Sequence, residues 1–100
     1  MDGDIKYEEL QNGTGFCASF HGHQIGEINF LYVGIDRLII ESTNIDNEYK
    51  DTNLCLDLVR KVADYARSQH RKIITMCPRA QAMFNRYPEF DDVRFIRVDV

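Results

Sequence analysis

The sequence lacks a hydrophobic run long enough to cross a membrane. A membrane-spanning helix needs about 20 consecutive apolar residues, and no segment of this chain approaches that length. Residues 1–4 are acidic and do not follow the basic-then-apolar order of a secretion signal. We therefore expect a cytoplasmic protein that does not act on a membrane.

Paired cysteines are also missing. The three cysteines, Cys17, Cys55 and Cys77, are odd in number and far apart, and no two of them form a C-x-x-C motif. This spacing argues against a disulfide framework or a structural zinc site and favours reduced thiols. His21 and His23 put two imidazoles on one predicted strand face, but no third ligand accompanies them, so we expect no metal.

Positive charge is scarce in the first half of the chain. The net charge of −4 argues against general nucleic-acid binding. Residues 1–50 hold 3 basic and 9 acidic side chains, whereas residues 51–100 hold 9 basic and 7 acidic ones. A small anionic ligand therefore meets less repulsion in the second half, although most of these charges are expected to form a solvated helix face.

No linker, low-complexity segment or internal repeat divides the 100 residues, so we predict one domain over residues 1–100. The first half is rich in β-branched and aromatic residues and is interrupted by turn sequences that contain glycine. This pattern predicts an antiparallel meander of four strands, over residues 5–10, 16–20, 27–33 and 37–45.

The second half changes to a helical period. The apolar residues that define one face of a predicted helix over residues 53–69 are Cys55, Leu58, Val59, Val62 and Ala66. A short strand is predicted at 72–76, then a helix from Pro78 to about Tyr87, which Pro88 ends, and an edge strand at 93–98.

A strand, a helix and a strand in succession imply a right-handed parallel crossover. We therefore predict an α+β fold with a mixed sheet. In it, the antiparallel N-terminal meander continues into a parallel β-α-β unit, and a short C-terminal helix follows.

The loop before the long helix is the first candidate for chemistry. A helix N-terminus carries unpaired N–H groups and the positive end of a dipole, so it can bind phosphate. The loop reads Lys50-Asp51-Thr52-Asn53, and without glycine it matches neither common phosphate motif. Lys50 can pair with a phosphate, whereas the Asp51 carboxylate repels one. The ordinary alternative is that Asp51, Thr52 or Asn53 only caps the helix.

Cys77 is the second candidate. If Pro78 is the first helical residue, Cys77 is the N-cap, where the helix dipole favours the thiolate and lowers the thiol pKa. This position suits a nucleophile. A free cysteine is equally common as a small buried core residue, so position alone leaves both interpretations open.

The chain resembles a known family from residue 42 to residue 90. It has Ser-Thr-Asn-Ile at 42–45 before the loop, Ala-Asp-Tyr-Ala-Arg at 63–67, Cys-Pro at 77–78 and Tyr-Pro-Glu-Phe at 87–90. With this spacing it is similar to the acyl-CoA N-acetyltransferase superfamily (GNAT), and most of all to its smallest, single-domain branch. The first half matches only as a hairpin meander.

The resemblance implies an N-acetyltransferase that moves an acetyl group from acetyl-CoA to the amine of an unidentified small molecule or protein. Pantetheine would bond to the end of the fourth strand, and the pyrophosphate would rest on the N–H groups at the start of the long helix. The residues then expected to contact acetyl-CoA are Asn44, Ile45, Lys50, Asp51, Thr52, Asn53, Leu54, Cys55, Leu56, Cys77 and Pro78.

The chemistry implied by the resemblance has two routes. An amine attacks the thioester directly, or Cys77 first accepts the acetyl group as the catalytic nucleophile. Glu41, by proximity, or a water molecule would remove the proton.

The chain departs from the family pattern where acetyl-CoA is expected to bind. The superfamily loop follows [RQ]-x-x-G-x-[GA]. This chain has different residues at several positions of that loop and near it, namely Ser42, Lys50, Asp51, Asn53, Cys55 and Arg79. An alternative is therefore a non-enzymatic binding or scaffold protein that keeps the fold and has lost tight acetyl-CoA binding. A domain for another nucleotide or phosphate ligand is a third interpretation, which no motif supports.

Overall fold

The computed structural model describes residues 4–96. Its elements are five strands, Ile5–Glu9 (β1), Gly15–Phe20 (β2), His23–Val33 (β3), Arg37–Ile45 (β4) and Lys72–Thr75 (β5), and two helices, Leu54–Ser68 (α1) and Pro78–Arg86 (α2). The strands form one sheet in the order β1-β2-β3-β4-β5. The first four pair antiparallel and β4 pairs parallel with β5, which confirms the predicted α+β fold with a mixed sheet.

Helix α1 forms because its apolar residues fall on one face. That face packs on β2, β3, β4 and β5, and its buried residues are Leu54, Cys55, Leu56, Leu58, Val59, Val62, Ala63 and Ala66. The predicted face is confirmed, and the burial extends to Leu54 and Leu56 in the first turn.

Gly26 on β3 fixes how closely the start of α1 approaches the sheet. A Cβ atom at this position would stand 3.0 Å from Leu54 Cδ2 and 3.3 Å from Leu58 Cδ1. Atoms at such distances must shift, so the missing side chain lets α1 lie directly on the strand. The first turn of α1 is therefore held against the sheet.

Two short 3-10 helices within residues 4–96 were not predicted, and they occupy Asn47–Tyr49 and Pro88–Phe90. The second carries Phe90, which is fully buried and stacks on Phe84 of α2 with ring centroids 5.1 Å apart. Arg60 of α1 reaches across to Glu89 with two hydrogen bonds of 2.8 and 3.0 Å. These contacts attach the second 3-10 helix to α1 and α2.

The predicted edge strand over residues 93–98 is wrong in its described part. Arg94 forms a single parallel bridge with Ile73, in which the Ile73 N–H donates to the Val93 carbonyl and the Phe95 N–H donates to the Ile73 carbonyl. The alternating sequence is typical of a strand, but β5 has only four residues and offers little free edge to pair with. Residues 97 and 98 lie outside the described part.

The predicted placement of the two imidazoles on one strand face is also wrong. His21 and Gly22 have positive φ values of 51° and 79° and form the turn between β2 and β3, while His23 begins β3. The histidines approach different carboxylates, Asp4 and Asp46. Between residues 4 and 96, no three His, Cys, Asp or Glu side chains are grouped to hold a metal ion, and no helix is long and apolar enough to cross a membrane.

Candidate active site

Strands β4 and β5 separate before β4 ends. Their parallel pairing stops at Ile40 and Thr75, whereas β4 continues to Ile45 and the chain turns from β5 through Cys77 into α2. Among the described residues, no strand pairs with the end of β4 on this side. An uncovered strand edge offers backbone N–H and C=O groups to an extended ligand.

A bulge in β4 changes the direction of the next side chains. Glu41 has no partner on β3, because the pairing with β3 shifts at this point. Ile40 is fully buried under the helices, and Thr43 pairs with Ile28, which is also fully buried. Strict alternation would put positions 40 and 43 on opposite faces. The bulge instead puts both on the helix-covered face.

Cys77 lies where this face meets the start of α2. It is the N-cap residue of α2, with φ −88° and ψ 121°, and Pro78 begins the helix, as the sequence predicts. Its Sγ atom stands 3.4 Å from Thr43 Oγ1. The residue is 8% exposed, so the thiol is largely buried where the end of β4 meets the start of α2.

The electrostatic surroundings distinguish Cys77 from the other two cysteines. Burial raises the pKa of Cys77, but hydrogen bonding from Thr43 and from the backbone N–H groups of Ala80 and Arg79 outweighs burial and lowers the pKa below its ordinary value. Burial raises the pKa of Cys55 and that of Cys17. Cys77 is therefore the cysteine most disposed to form a thiolate.

The loop before α1 is organised by Thr52. Its hydroxyl donates to the Tyr49 carbonyl at 2.6 Å and accepts from the Leu54 N–H at 3.2 Å. Asn53 occupies the N-cap position without a side-chain hydrogen bond. Of the three residues expected to cap the helix, Thr52 is therefore the one whose side chain does so, although it lies one residue before the N-cap position.

Capping by Thr52 leaves other N–H groups of the first turn available. The first intrahelical hydrogen bond runs from the Asp57 N–H to the Asn53 carbonyl at 2.9 Å, so the N–H groups of Cys55 and Leu56 precede it. Asn53 has φ −82° and ψ 12°. This backbone requires no glycine, so the missing glycines change the side chains of the loop rather than its path.

Arg79 brings a positive charge to this region. Burial raises the pKa of Cys55, the Arg79 guanidinium opposes this rise, and Cys77 adds to it. Such effects require proximity, so Arg79 in the first turn of α2 acts on Cys55 in the first turn of α1. Lys50 and Asp51 are exposed on the preceding turn.

Three other residues named in the sequence analysis lie on β4. Asn44 is exposed at the end of β4, opposite Glu27 on β3. Ile45 packs against the core. Glu41 is exposed at the bulge, and its role as a base stays a prediction, as do the roles of the acetyl-CoA contacts.

Sequence reasoning missed Thr43 and treated Arg79 only as a departure from the family pattern. The parallel crossover was a usable signal for Thr43, because it places the end of β4 beside the residue that follows β5. For Arg79, the signal was its position in the first turn of α2, directly after Cys77-Pro78. The bulge that directs Thr43 toward Cys77 has no clear sequence signal.

Comparison with known proteins gives a consistent result. The sequence model of the GCN5-related N-acetyl-transferase family matches residues 15–93. No curated protein sequence gives a significant match to the chain.

Solved structures share the fold. A GCN5-like protein from Staphylococcus aureus is 21% identical, with a TM-score of 0.76, over 95% of this chain and 92% of that one. A GNAT family acetyltransferase from Elizabethkingia anophelis, solved with acetyl-CoA bound, is 10% identical, with a TM-score of 0.68, over 87% of this chain and 74% of its own. The ribosomal-protein-S18-alanine N-acetyltransferase from Escherichia coli is 14% identical, with a TM-score of 0.62, over 72% of this chain and 49% of that one.

Proposed function

Because the chain belongs to the GCN5-related N-acetyltransferase family, we propose that it transfers an acetyl group from acetyl-CoA to an amine. The observation that supports this most is the Cys77 thiol, whose pKa is lowered and which lies beside the uncovered edge of β4. A reactive sulfur next to a place for an extended ligand suits acyl transfer.

The described residues fit acetyl-CoA as a substrate. Backbone groups near Asn44 and Ile45, beyond the last pairing of β4 with β5, would bond to the pantetheine arm. The pyrophosphate would accept hydrogen bonds from the N–H groups of Cys55 and Leu56, which precede the first intrahelical bond. Arg79 would supply a positive charge in addition to Lys50.

In the direct route, the amine nitrogen of the acceptor attacks the carbonyl carbon of the thioester. The C–N bond forms, the C–S bond breaks, the sulfur leaves with the electron pair as CoA thiolate, and the amine loses one proton. Glu41 or water would accept that proton. The role of the chain is then to hold the acetyl group against the end of β4.

In the covalent route, the Cys77 thiolate attacks the same carbonyl carbon first. CoA leaves as its thiolate and takes up a proton, and Cys77 carries an acetyl thioester. The amine then attacks this thioester, the C–N bond forms and the C–S bond to Cys77 breaks, so that Cys77 leaves as the thiolate while the amine loses a proton to Glu41 or water. Thr43 would stabilise the thiolate through its hydroxyl, 3.4 Å from Sγ.

The test is an NMR titration of the protein with acetyl-CoA, with free CoA and ATP alongside, followed by mass spectrometry of the Cys77 peptide. We expect saturable shifts in residues 44–56 and at Cys77, with acetyl-CoA and CoA binding tighter than ATP. Mass spectrometry of a sample with no added amine decides between the routes. An acetyl group on Cys77 indicates the covalent route. This acetylation should be absent in Cys77→Ala and unchanged in Cys17→Ala. Acetyl-CoA binding without acetylation of the protein indicates the direct route.

The non-enzymatic alternative predicts a different result. A scaffold protein would show no saturable shift at millimolar acetyl-CoA and no transfer to any amine tested. That outcome would overturn the proposal and direct the search to protein partners. The chemical identity of the acceptor, a small molecule or a protein amine, is the next question if acetyl-CoA binds.

A further inference from the structure

The face of the sheet that turns away from the helices carries a row of apolar side chains. Neighbouring residues of a strand point to opposite faces, so Leu31, Ile39 and Ile74 lie on the outer face, each beside a residue that is buried on the helix-covered face. Leu31 pairs with Ile39, and Ile39 pairs with Ile74. The three side chains therefore stand next to one another across β3, β4 and β5.

Met76 extends this row along the direction of β5. It follows Ile74 by two residues, and its N–H donates to the Ile40 carbonyl in continuation of the parallel pairing, so its side chain is also on the outer face. Met76 is 69% exposed and Leu31 is 45% exposed. A sheet face that meets water is ordinarily polar, so these exposed apolar side chains indicate a contact surface.

Phe95 extends the row on the other side of β5. Its N–H donates to the Ile73 carbonyl, and the preceding Arg94 bonds to Asn85 of α2, so Phe95 points to the outer face. The Arg37 guanidinium lies over the Phe95 ring, 4.4 Å from its centroid. The apolar residues on this face, which we name the outer patch, are Leu31, Ile39, Ile74, Met76 and Phe95.

We propose that the outer patch is the contact surface of a homodimer, in which a second copy of the chain packs its own outer patch against it. Two sheets pack face to face at a distance of about 10 Å. With a two-fold axis that crosses the strands at Ile39, the row formed by Leu31, Ile39 and Ile74 in one copy lies on the same row in the other. An identical surface on each copy then buries the whole row.

The charges beside the outer patch favour a second copy as the occupant. On β4, Arg37 lies two residues before Ile39, and the exposed Glu41 lies two residues after it. A two-fold axis across the strands reverses the direction of β4, so Arg37 of each copy faces Glu41 of the other, and opposite charges attract. An axis along the strands would place like charges against each other. The antiparallel arrangement therefore makes the patch complementary to itself.

The size of the outer patch sets the expected affinity. Three strands and the segment at Phe95 span roughly 15–20 Å across, and the side chains cover about 15 Å along the strands. Such a patch buries roughly 300–500 Å² on each copy, which is at the low end for specific interfaces. We therefore expect a weak dimer, with a Kd of about 0.1 mM, rather than a permanent one.

The experiment is sedimentation equilibrium of the full chain from about 10 μM to about 1 mM, with an NMR dilution series over the same range. We expect a monomer–dimer equilibrium and concentration-dependent shifts at Leu31, Ile39, Ile74 and Met76. A monomer at every concentration overturns the inference. Shifts confined to the edge strand β1 also overturn it, because they indicate pairing of strand edges. No acetyl-CoA is added, so the outcome is independent of the proposed acetyl transfer.

Leu31→Lys tests the apolar row, because it places two like charges at the contact. We expect the Kd of the dimer to rise at least about tenfold. Ile35→Lys is the matched control, since Ile35 is 91% exposed in the turn between β3 and β4, outside the outer patch, and its replacement should leave the Kd unchanged. The NMR spectrum of each variant shows whether the fold is kept. An unchanged Kd in folded Leu31→Lys overturns the inference.

An exchange of charges tests the orientation of the two copies and includes its own rescue. Arg37→Glu and Glu41→Lys should each weaken the dimer, because each places like charges face to face in the antiparallel arrangement. The double variant restores opposite charges and should return the Kd to within about threefold of the wild-type value. A double variant that dimerises as weakly as the single variants overturns the inference.

Discussion

The Thr43 hydroxyl lies 3.4 Å from the Cys77 thiol and links the end of β4 to the N-terminus of α2. The link depends on the bulge at Glu41, which places Thr43 on the helix-covered face. A hydroxyl beside a thiolate donates a hydrogen bond to the sulfur, and this bond stabilises the thiolate more than the neutral thiol. The fold thereby favours the charged form of one cysteine out of three.

Thr43→Val tests this relationship, because valine keeps the shape and removes the hydroxyl. We expect the pKa of Cys77 to rise and its alkylation by iodoacetamide near neutral pH to slow about tenfold, since a hydrogen bond to a charged group contributes about 1.5–3 kcal/mol. Mass spectrometry of the Cys77 peptide over a pH series measures the shift directly.

Thr43→Ser is the matched control, and it should keep the wild-type pH profile because the hydroxyl remains. Alkylation of Cys17 in the same samples gives an internal reference, which neither variant should alter. Identical Cys77 profiles in wild type and Thr43→Val would show that the hydroxyl does not set the thiol pKa.

Local patterns in the sequence were sufficient for the order of the five strands and two helices. The helical spacing from Cys55 to Ala66 places α1, and Pro78 marks the start of α2, because each pattern acts within one element. The order of elements then fixes the crossover between β4 and β5. The family resemblance adds the same arrangement independently.

The details of the site depend on contacts between distant parts of the chain, which a local pattern does not contain. The bulge at Glu41 is set by how β3 and β4 pair, and the 34-residue separation of Thr43 and Cys77 is closed only by the sheet. Similarly, no local pattern indicates that Phe90 is fully buried and stacks on Phe84 of α2. Tertiary packing decides these features.

Removing the negative charge of Asp51 should tighten acetyl-CoA binding. Asp51 is exposed in the loop before α1, so its repulsion of the pyrophosphate is screened by water and salt. For Asp51→Asn we expect an affinity gain of about two- to fivefold at low salt that shrinks as salt is added. Isothermal calorimetry at two salt concentrations measures this difference.

Glu9→Gln is the control for this gain, because it removes one negative charge from the far end of β1. It should change the affinity little at either salt concentration. An equal gain in both variants would indicate a general charge effect, and no gain in Asp51→Asn would place the pyrophosphate elsewhere.

Arg79 should contribute to the binding of the CoA phosphates. Its guanidinium acts on Cys55 in the first turn of α1, so Arg79→Gln removes a positive charge near the expected pyrophosphate. We expect acetyl-CoA to bind about tenfold more weakly, which corresponds to about 1.4 kcal/mol, and the dependence of binding on salt to decrease. Calorimetric titration of both proteins gives both quantities.

Arg86→Gln, an exposed change in the last turn of α2, should leave acetyl-CoA affinity near the wild-type value. Equal affinities for Arg79→Gln and Arg86→Gln would remove Arg79 from the proposed phosphate site. The comparison separates a specific contact from a loss of net charge, because each variant loses one positive charge.

Two ion pairs should make the stability of the protein depend on pH. Hydrogen bonding from Arg60 lowers the pKa of Glu89, and hydrogen bonding from Arg67 lowers the pKa of Asp92. The unfolded chain then binds more protons than the folded one at acidic pH. The stabilisation is therefore present above the ordinary carboxyl pKa of about 4 and is lost as the pH falls through the lower folded values.

We expect the thermal midpoint of unfolding to fall between about pH 6 and pH 3, and Arg60→Gln to reduce the fall, because Glu89 then titrates closer to its unfolded value. The change should be small, since both carboxylates are exposed to solvent. Circular dichroism melts at several pH values measure it. Arg86→Gln, whose guanidinium lies over the Tyr87 ring, should keep the wild-type dependence. An unaltered dependence in Arg60→Gln would show that the pair with Glu89 does not couple folding to protons.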